Sequence, residues 1–154
     1  MQVATFVITG LLILVLAAVR DDLPRRRASA IAVGLLALLG VALILAAFRV
    51  DVPMLSGGSP ATWHGWVHGV AFLLIIATGV LAPLVMALAV RGNAGWRLIG
   101  VISVAASALF VVFLLLPWGN ASFLIAIVTL FAWIAAIAVR LATHQHSQLA
   151  QQGT

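Results

Sequence analysis

Residues 28–48 read ASAIAVGLLALLGVALILAAF, an uncharged run closed by Arg27 on one side and Arg49 on the other. At about 1.5 Å per residue, a helix of this length spans roughly 30 Å, the hydrocarbon thickness of a bilayer. Neither proline nor a polar cluster interrupts the run, so it predicts one membrane-crossing helix and, with its neighbours, a polytopic all-α bundle.

Upstream, residues 1–19 carry no charge and end at RDDLPRRR, residues 20–27. A secretory signal peptide needs its positive charge before the apolar stretch, and here the charge follows it, so the segment reads as a first helix. Downstream, the uncharged run from Val52 to Val90 is too long for one crossing, and its first part, VPMLSGGSPAT, is loop chemistry. Ser59 as N-cap with Pro60 at the first helical position predicts a helix over residues 60–90, kinked at Pro83. The run from Leu98 to Val139 is broken near its middle by Pro117-Trp118-Gly119-Asn120, which leaves two further crossings, with Asn120 capping the second. Between the third and fourth helices, RGNAGWR stops one at Gly92 and starts the next near Trp96. The prediction is therefore five transmembrane helices, at about 2–19, 28–48, 60–90, 97–116 and 121–140, and a polar, frayed tail over 142–154.

Composition agrees. The chain is 65% hydrophobic and 7% charged, far from the balance of a soluble domain. Its net charge of +5 comes from arginines that punctuate the apolar runs instead of forming a patch, which argues against nucleic acid as a partner. In a five-helix meander Arg20, Arg25, Arg26, Arg27, Arg91, Arg97 and Arg140 fall on one side and Arg49 on the other. The positive-inside rule then predicts an outer N-terminus and a cytoplasmic C-terminus, in the cell membrane. Trp63, Trp66 and Trp118 fall at the outer boundary, where indoles prefer to sit, and Trp96 at the inner one.

Cysteine is absent, so any chemistry must use His, Asp, Ser, Thr or Arg. Asp51, His64 and His68 lie at the outer ends of the second and third helices. Residues four apart share a helix face, so both imidazoles can point at one ion, and Asp51 would complete a two-histidine, one-carboxylate zinc set. The alternative is structural: an Asp–His hydrogen bond that joins the two helices without metal. Haem does not suit two histidines on one face, because they cannot clamp opposite sides of the ring. Gly65 and Gly69 form a GxxxG pair that admits a close helix neighbour, from this chain or another. Ser103 and Ser107 share a face and read as helix glue, and His144 and His146 as solvated tail residues. No charge lies at the membrane midplane, which counts against a proton pump or an ion-coupled transporter.

FRVDVP at 48–53, TWHGWVHGVAFLL at 62–74, an arginine-bounded turn and a last helix ending WIAAIAVRL at 133–141 together resemble a known family. It is the bacterial multi-pass membrane family catalogued as domain of unknown function 998. Phe48, Asp51, Pro53, His64, Gly65 and His68 match its pattern, and the resemblance runs from about Thr5 to Leu141. Two departures stand out: Val52 separates Asp51 from Pro53, and ASFLIAIV lacks the glutamine-arginine pair expected early in the last helix. The family's members usually carry one or two further segments before the point where this chain begins. The resemblance thus implies an internal start, or a short member that needs a partner to replace the missing helices. It supports the fold and highlights the Asp51–His64–His68 trio without naming a reaction.

Two functions from different classes follow. The first is a non-enzymatic bundle that acts by association, as a homo-oligomer or as a small accessory subunit of a membrane complex. The alternative is a metal-dependent hydrolase of lipids, with zinc held by His64 and His68 and with Asp51 as third ligand or base. A carrier or sensor with an outer polar cavity is a third class that the sequence neither indicates nor excludes.

Overall fold

The computed structural model describes residues 2–18, 23, 24, 26–50, 57–59, 62–118 and 120–152. Among these the chain is helical without strands: α1 Gln2–Ala18, α2 Arg27–Leu45, α3 Trp63–Val90, a 3-10 turn Ala94–Trp96, α4 Arg97–Leu115 and α5 Asn120–Gln152. Four segments are long and apolar enough to cross a membrane: Arg27–Leu45, Trp63–Val90, Ala94–Leu115 and Asn120–Thr143. The fifth, α1, is equally apolar but shorter; its 17 residues reach about 25 Å, short of a full hydrocarbon core. The polytopic helical class therefore stands, with four helices of crossing length and a shorter apolar one.

Three boundaries differ from the sequence reading. α3 begins at Trp63, and its cap is Thr62, not Ser59: the Gly65 N–H donates to Thr62 Oγ1 at 3.2 Å and the Trp66 N–H to the Thr62 carbonyl at 3.1 Å. α5 does not fray after Leu141 but continues to Gln152. Residues 142–152 are largely Ala, Gln, Leu and His and lack Gly and Pro, so nothing in them stops a helix. At the α4–α5 turn the tie is Ser122, not Asn120; its hydroxyl donates to the Leu116 carbonyl at 2.8 Å and accepts the Trp118 N–H at 3.1 Å.

Other expectations hold. Gly92 adopts φ +81° just after α3, the left-handed conformation that ends a helix at low cost with glycine. Asn93 Oδ1 then accepts the Gly95 N–H at 3.1 Å and caps the 3-10 turn that leads into α4. Pro83 sits inside α3 without ending it. Proline removes one backbone donor and disturbs the preceding turn, and there the Ser107 hydroxyl donates to the Val80 carbonyl at 3.0 Å.

The helices are apolar on their outer faces as well as inside. Leu98, Leu115 and Val128 are 69%, 78% and 64% exposed, a surface suited to lipid and not to water. Where helices meet, small side chains prevail, as membrane packing without a hydrophobic driving force requires; Ala42, Ala71, Ala82, Ala89 and Ala126 are all buried.

The chain divides into two compact units, residues 1–18 with 34–78 and residues 19–33 with 79–154. In the first, α1 and α2 touch through facing glycines. A Cβ on Gly10 would lie 2.5 Å from the Gly40 carbonyl oxygen, and one on Gly40 would lie 2.8 Å from that of Gly10. In the second, α4 packs against α5 around the buried Trp133, whose indole N–H donates to Ser103 Oγ at 2.8 Å. Ser103 and Ser107 are thus helix glue, one toward α5 and the other toward α3.

Candidate functional site

The histidine site is built from the end of α2. Its last turns tighten from the Ala46 N–H bonded to the Ala42 carbonyl to the Phe48 N–H bonded to the Leu45 carbonyl, and the carbonyl of Phe48 then lies past the helix. His68 Nδ1 is 3.0 Å from that oxygen. A carbonyl only accepts, so Nδ1 carries the hydrogen, and in the neutral ring the lone pair sits on Nε2.

His64 is engaged differently. Its Nδ1 pairs with Thr62 Oγ1 at 2.8 Å, inside the cap of its own helix. The threonine hydroxyl has one hydrogen and two lone pairs, so it can take the Gly65 N–H and still pair with the imidazole in either sense. Aromatic contacts knit the two histidines' surroundings together: the Phe48 and Trp63 rings meet edge-on at 5.6 Å, and Trp63 meets the His64 ring at 5.5 Å. Both imidazoles are half-buried while Trp63 and Trp66 are well exposed, as an interfacial belt requires.

Asp51 and Pro53 lie outside the described residues. Among the described residues no three His, Asp or Glu side chains stand close enough to hold a metal ion. Gly65 is buried and Gly69 half-buried, and the side chains of His144 and His146 lie outside the described set. The features around which the sequence pattern is written, Phe48 and the HGxxH turn, are therefore joined by a hydrogen bond and ring contacts. In a comparison with known families, the family described as protein of unknown function (DUF998) matches residues 1–150. The chain belongs to the DUF998 family. No curated protein and no solved structure matches it.

A second cluster in this DUF998 chain went unrecognised as a site in the sequence, where its residues served only to orient the helices. Arg26 Nη1 donates to the Arg91 carbonyl at 2.7 Å and so braces the α3–α4 turn. Trp96 is 2% exposed, and the Arg140 guanidinium lies 5.6 Å from its ring centroid. Gly95 makes room for that arrangement, since a Cβ there would be 3.3 Å from Arg140 Nη2. The spacing RGNAGWR carried the signal: two glycines and an asparagine in a membrane turn mark backbone that another group approaches closely.

Proposed function

We propose that this DUF998 chain is a non-enzymatic, multi-pass protein of the cell membrane that acts by association, with itself or as a small accessory subunit of a larger membrane complex. The observation that carries the reading is the bond from His68 to the Phe48 carbonyl. A side chain that the sequence offers for chemistry is engaged in tying α3 to the end of α2. Ser103 and Ser107 serve the same end inside the helices, by bonding a neighbouring indole and a carbonyl of α3, while Thr78 bonds back to the Leu74 carbonyl of its own helix. On this reading α1, though short, makes a fifth crossing by local thinning of the bilayer, the N-terminus is outside, and the seven arginines of the inner side lie in the cytoplasm. Gly69, half-buried beside the buried Gly65, supplies the face on which a partner helix approaches. Blue-native electrophoresis and in-membrane cross-linking of the tagged chain test this. A species larger than one chain is expected, and it shifts when Gly69 is replaced by leucine. A stable monomer that captures no membrane protein overturns the reading.

One observation favours a second reading. An Nδ1–H held on a backbone carbonyl, with the lone pair on Nε2, is the orientation that metal-ligating histidines adopt. In that case Asp51, His64 and His68 would bind zinc and activate water for a lipid-directed hydrolysis. Plasma mass spectrometry of gently purified protein separates the two. The first reading expects less than about one-tenth equivalent of transition metal, whereas catalytic zinc occupies its three-ligand site stoichiometrically. A full equivalent that vanishes in the His64→Ala, His68→Ala double variant would establish the second.

A further inference from the structure

Between the end of α3 and the first turns of α4 lies an open groove of about 760 Å³. Its polar end consists of Arg91, Asn93 and Arg97, and its wall of small or apolar side chains such as Ala87, Val101 and Val104. The wall follows α4 from Arg97 to Ala105, about two helical turns. Arg91, Arg97, Val101 and Val104 are all exposed, so the groove opens along its length to whatever surrounds the helices.

The two ends ask for different chemistry. Two guanidiniums favour an anion, and Arg26, whose Nη1 holds the Arg91 carbonyl, brings a third cation to the same turn. No carboxylate stands among the described residues that line the groove. Asn93 Oδ1 is occupied by the Gly95 N–H, which leaves its amide nitrogen to donate. A soluble anion would satisfy the arginines and leave two turns of apolar wall unused. A second copy of the chain, at +5 and just as basic in this turn, would satisfy the wall and repel the arginines. An anionic amphiphile satisfies both.

We infer that this groove binds one anionic phospholipid of the surrounding bilayer, its phosphate on Arg91 and Arg97 and an acyl chain along Val101 and Val104. Arg26 is the positioning residue: it fixes the turn through the Arg91 carbonyl, next to Gly92, whose φ of +81° turns the chain out of α3. The inference depends on neither the association nor the metal reading.

Native mass spectrometry of the full chain in mild detergent tests it, with phosphatidylglycerol and phosphatidylcholine of identical acyl chains offered in equal amounts. Two arginines at a membrane surface predict a preference for the anionic lipid on the order of tenfold. In Arg91→Gln/Arg97→Gln the preference is expected to fall to near parity, and in Arg49→Gln, which removes one charge outside the groove, to persist. Val104→Trp, which fills the wall, is expected to lower retention of both lipids. Raising salt with the unaltered protein must weaken the preference, an arm that needs no variant to fold. Equal retention of the two lipids by the unaltered protein overturns the inference, as does a preference that survives the double substitution. So does displacement of the lipid by millimolar inorganic phosphate alone, or an oligomer whose formation expels the lipid.

Discussion

Gly10→Ala and Gly40→Ala will each destabilise the fold by about 3 kcal/mol, at the upper end of overpacking costs, although each adds a single methyl group to a helix. By propensity alone the change should help, because alanine is favoured over glycine in a helix interior by about 1 kcal/mol. Sterics decide the sign. The methyl at position 10 would meet the Gly40 carbonyl oxygen at 2.5 Å and Ile44 Cγ1 at 2.6 Å. The isoleucine tip can turn away, but the carbonyl belongs to the α2 backbone and cannot, so the helices must part. Parting them forfeits the close backbone contact on which membrane packing depends. Denaturation by sodium dodecyl sulfate in mixed micelles reads the loss as a lowered midpoint. The double variant should cost clearly less than the sum, because helices already separated by the first methyl have room for the second. Gly34→Ala is the control: nothing lies within 4 Å of its Cβ position, so the change should be neutral or stabilising. Gly79 falls between them, since its methyl would meet the Phe110 ring at 2.6 Å, a side chain that can shift. Unchanged midpoints for Gly10→Ala and Gly40→Ala would show that α1 and α2 do not rely on this crossing.

What the sequence made legible follows from how each feature is encoded. The length of an uncharged run is a local property, so the run read as 28–48 emerged as α2 Arg27–Leu45, and 97–116 as α4 Arg97–Leu115. The start of α3 was harder because both Ser59 and Thr62 are good caps; the choice falls on the one whose oxygen meets the Gly65 N–H. The glycine crossing could not be read at all as a pair, since nothing in their spacing says which helix lies beside which. A lone glycine deep in an apolar helix was still a hint, because it needs a packing reason to offset its propensity. At the candidate site the histidines were visible and their partners were not. His68 bonds a backbone carbonyl, a group every residue carries, and no side-chain pattern announces it. The groove on α3 and α4 was hidden for a related reason: Arg91 and Arg97 had already been explained by the positive-inside rule, which accounts for their side of the membrane but not for the wall beside them.

Trp133→Ala should cost about 3–5 kcal/mol, the range for deleting a large buried aromatic, while Trp133→Phe should cost far less. Trp133 is 1% exposed and fills the interface between α4 and α5, and its N–H meets the fully buried Ser103 Oγ at 2.8 Å. Two effects compete to explain its weight, and their sizes differ. An interhelical hydrogen bond inside a membrane contributes on average about 0.6 kcal/mol. Ser103 can also recover a partner by turning its hydroxyl to the carbonyl one turn back, as helical serines do. Trp133→Phe, which keeps one ring in place and leaves Ser103 that partner, should therefore shift the denaturation midpoint little, and Ser103→Ala, which leaves the buried indole N–H without its acceptor, modestly. If packing dominates, Trp133→Ala loses far more than either Trp133→Phe or Ser103→Ala. Were Ser103→Ala as damaging as Trp133→Ala, the polar bond would be the tie and the packing account wrong. The comparison also bears on the lipid groove, because α4 supplies its wall and Arg97. Trp133→Ala loosens α4 against α5 without touching Arg91, Arg97 or Val104. If the groove is formed by α3, the α3–α4 turn and α4 alone, the preference for anionic lipid should outlast much of the lost stability.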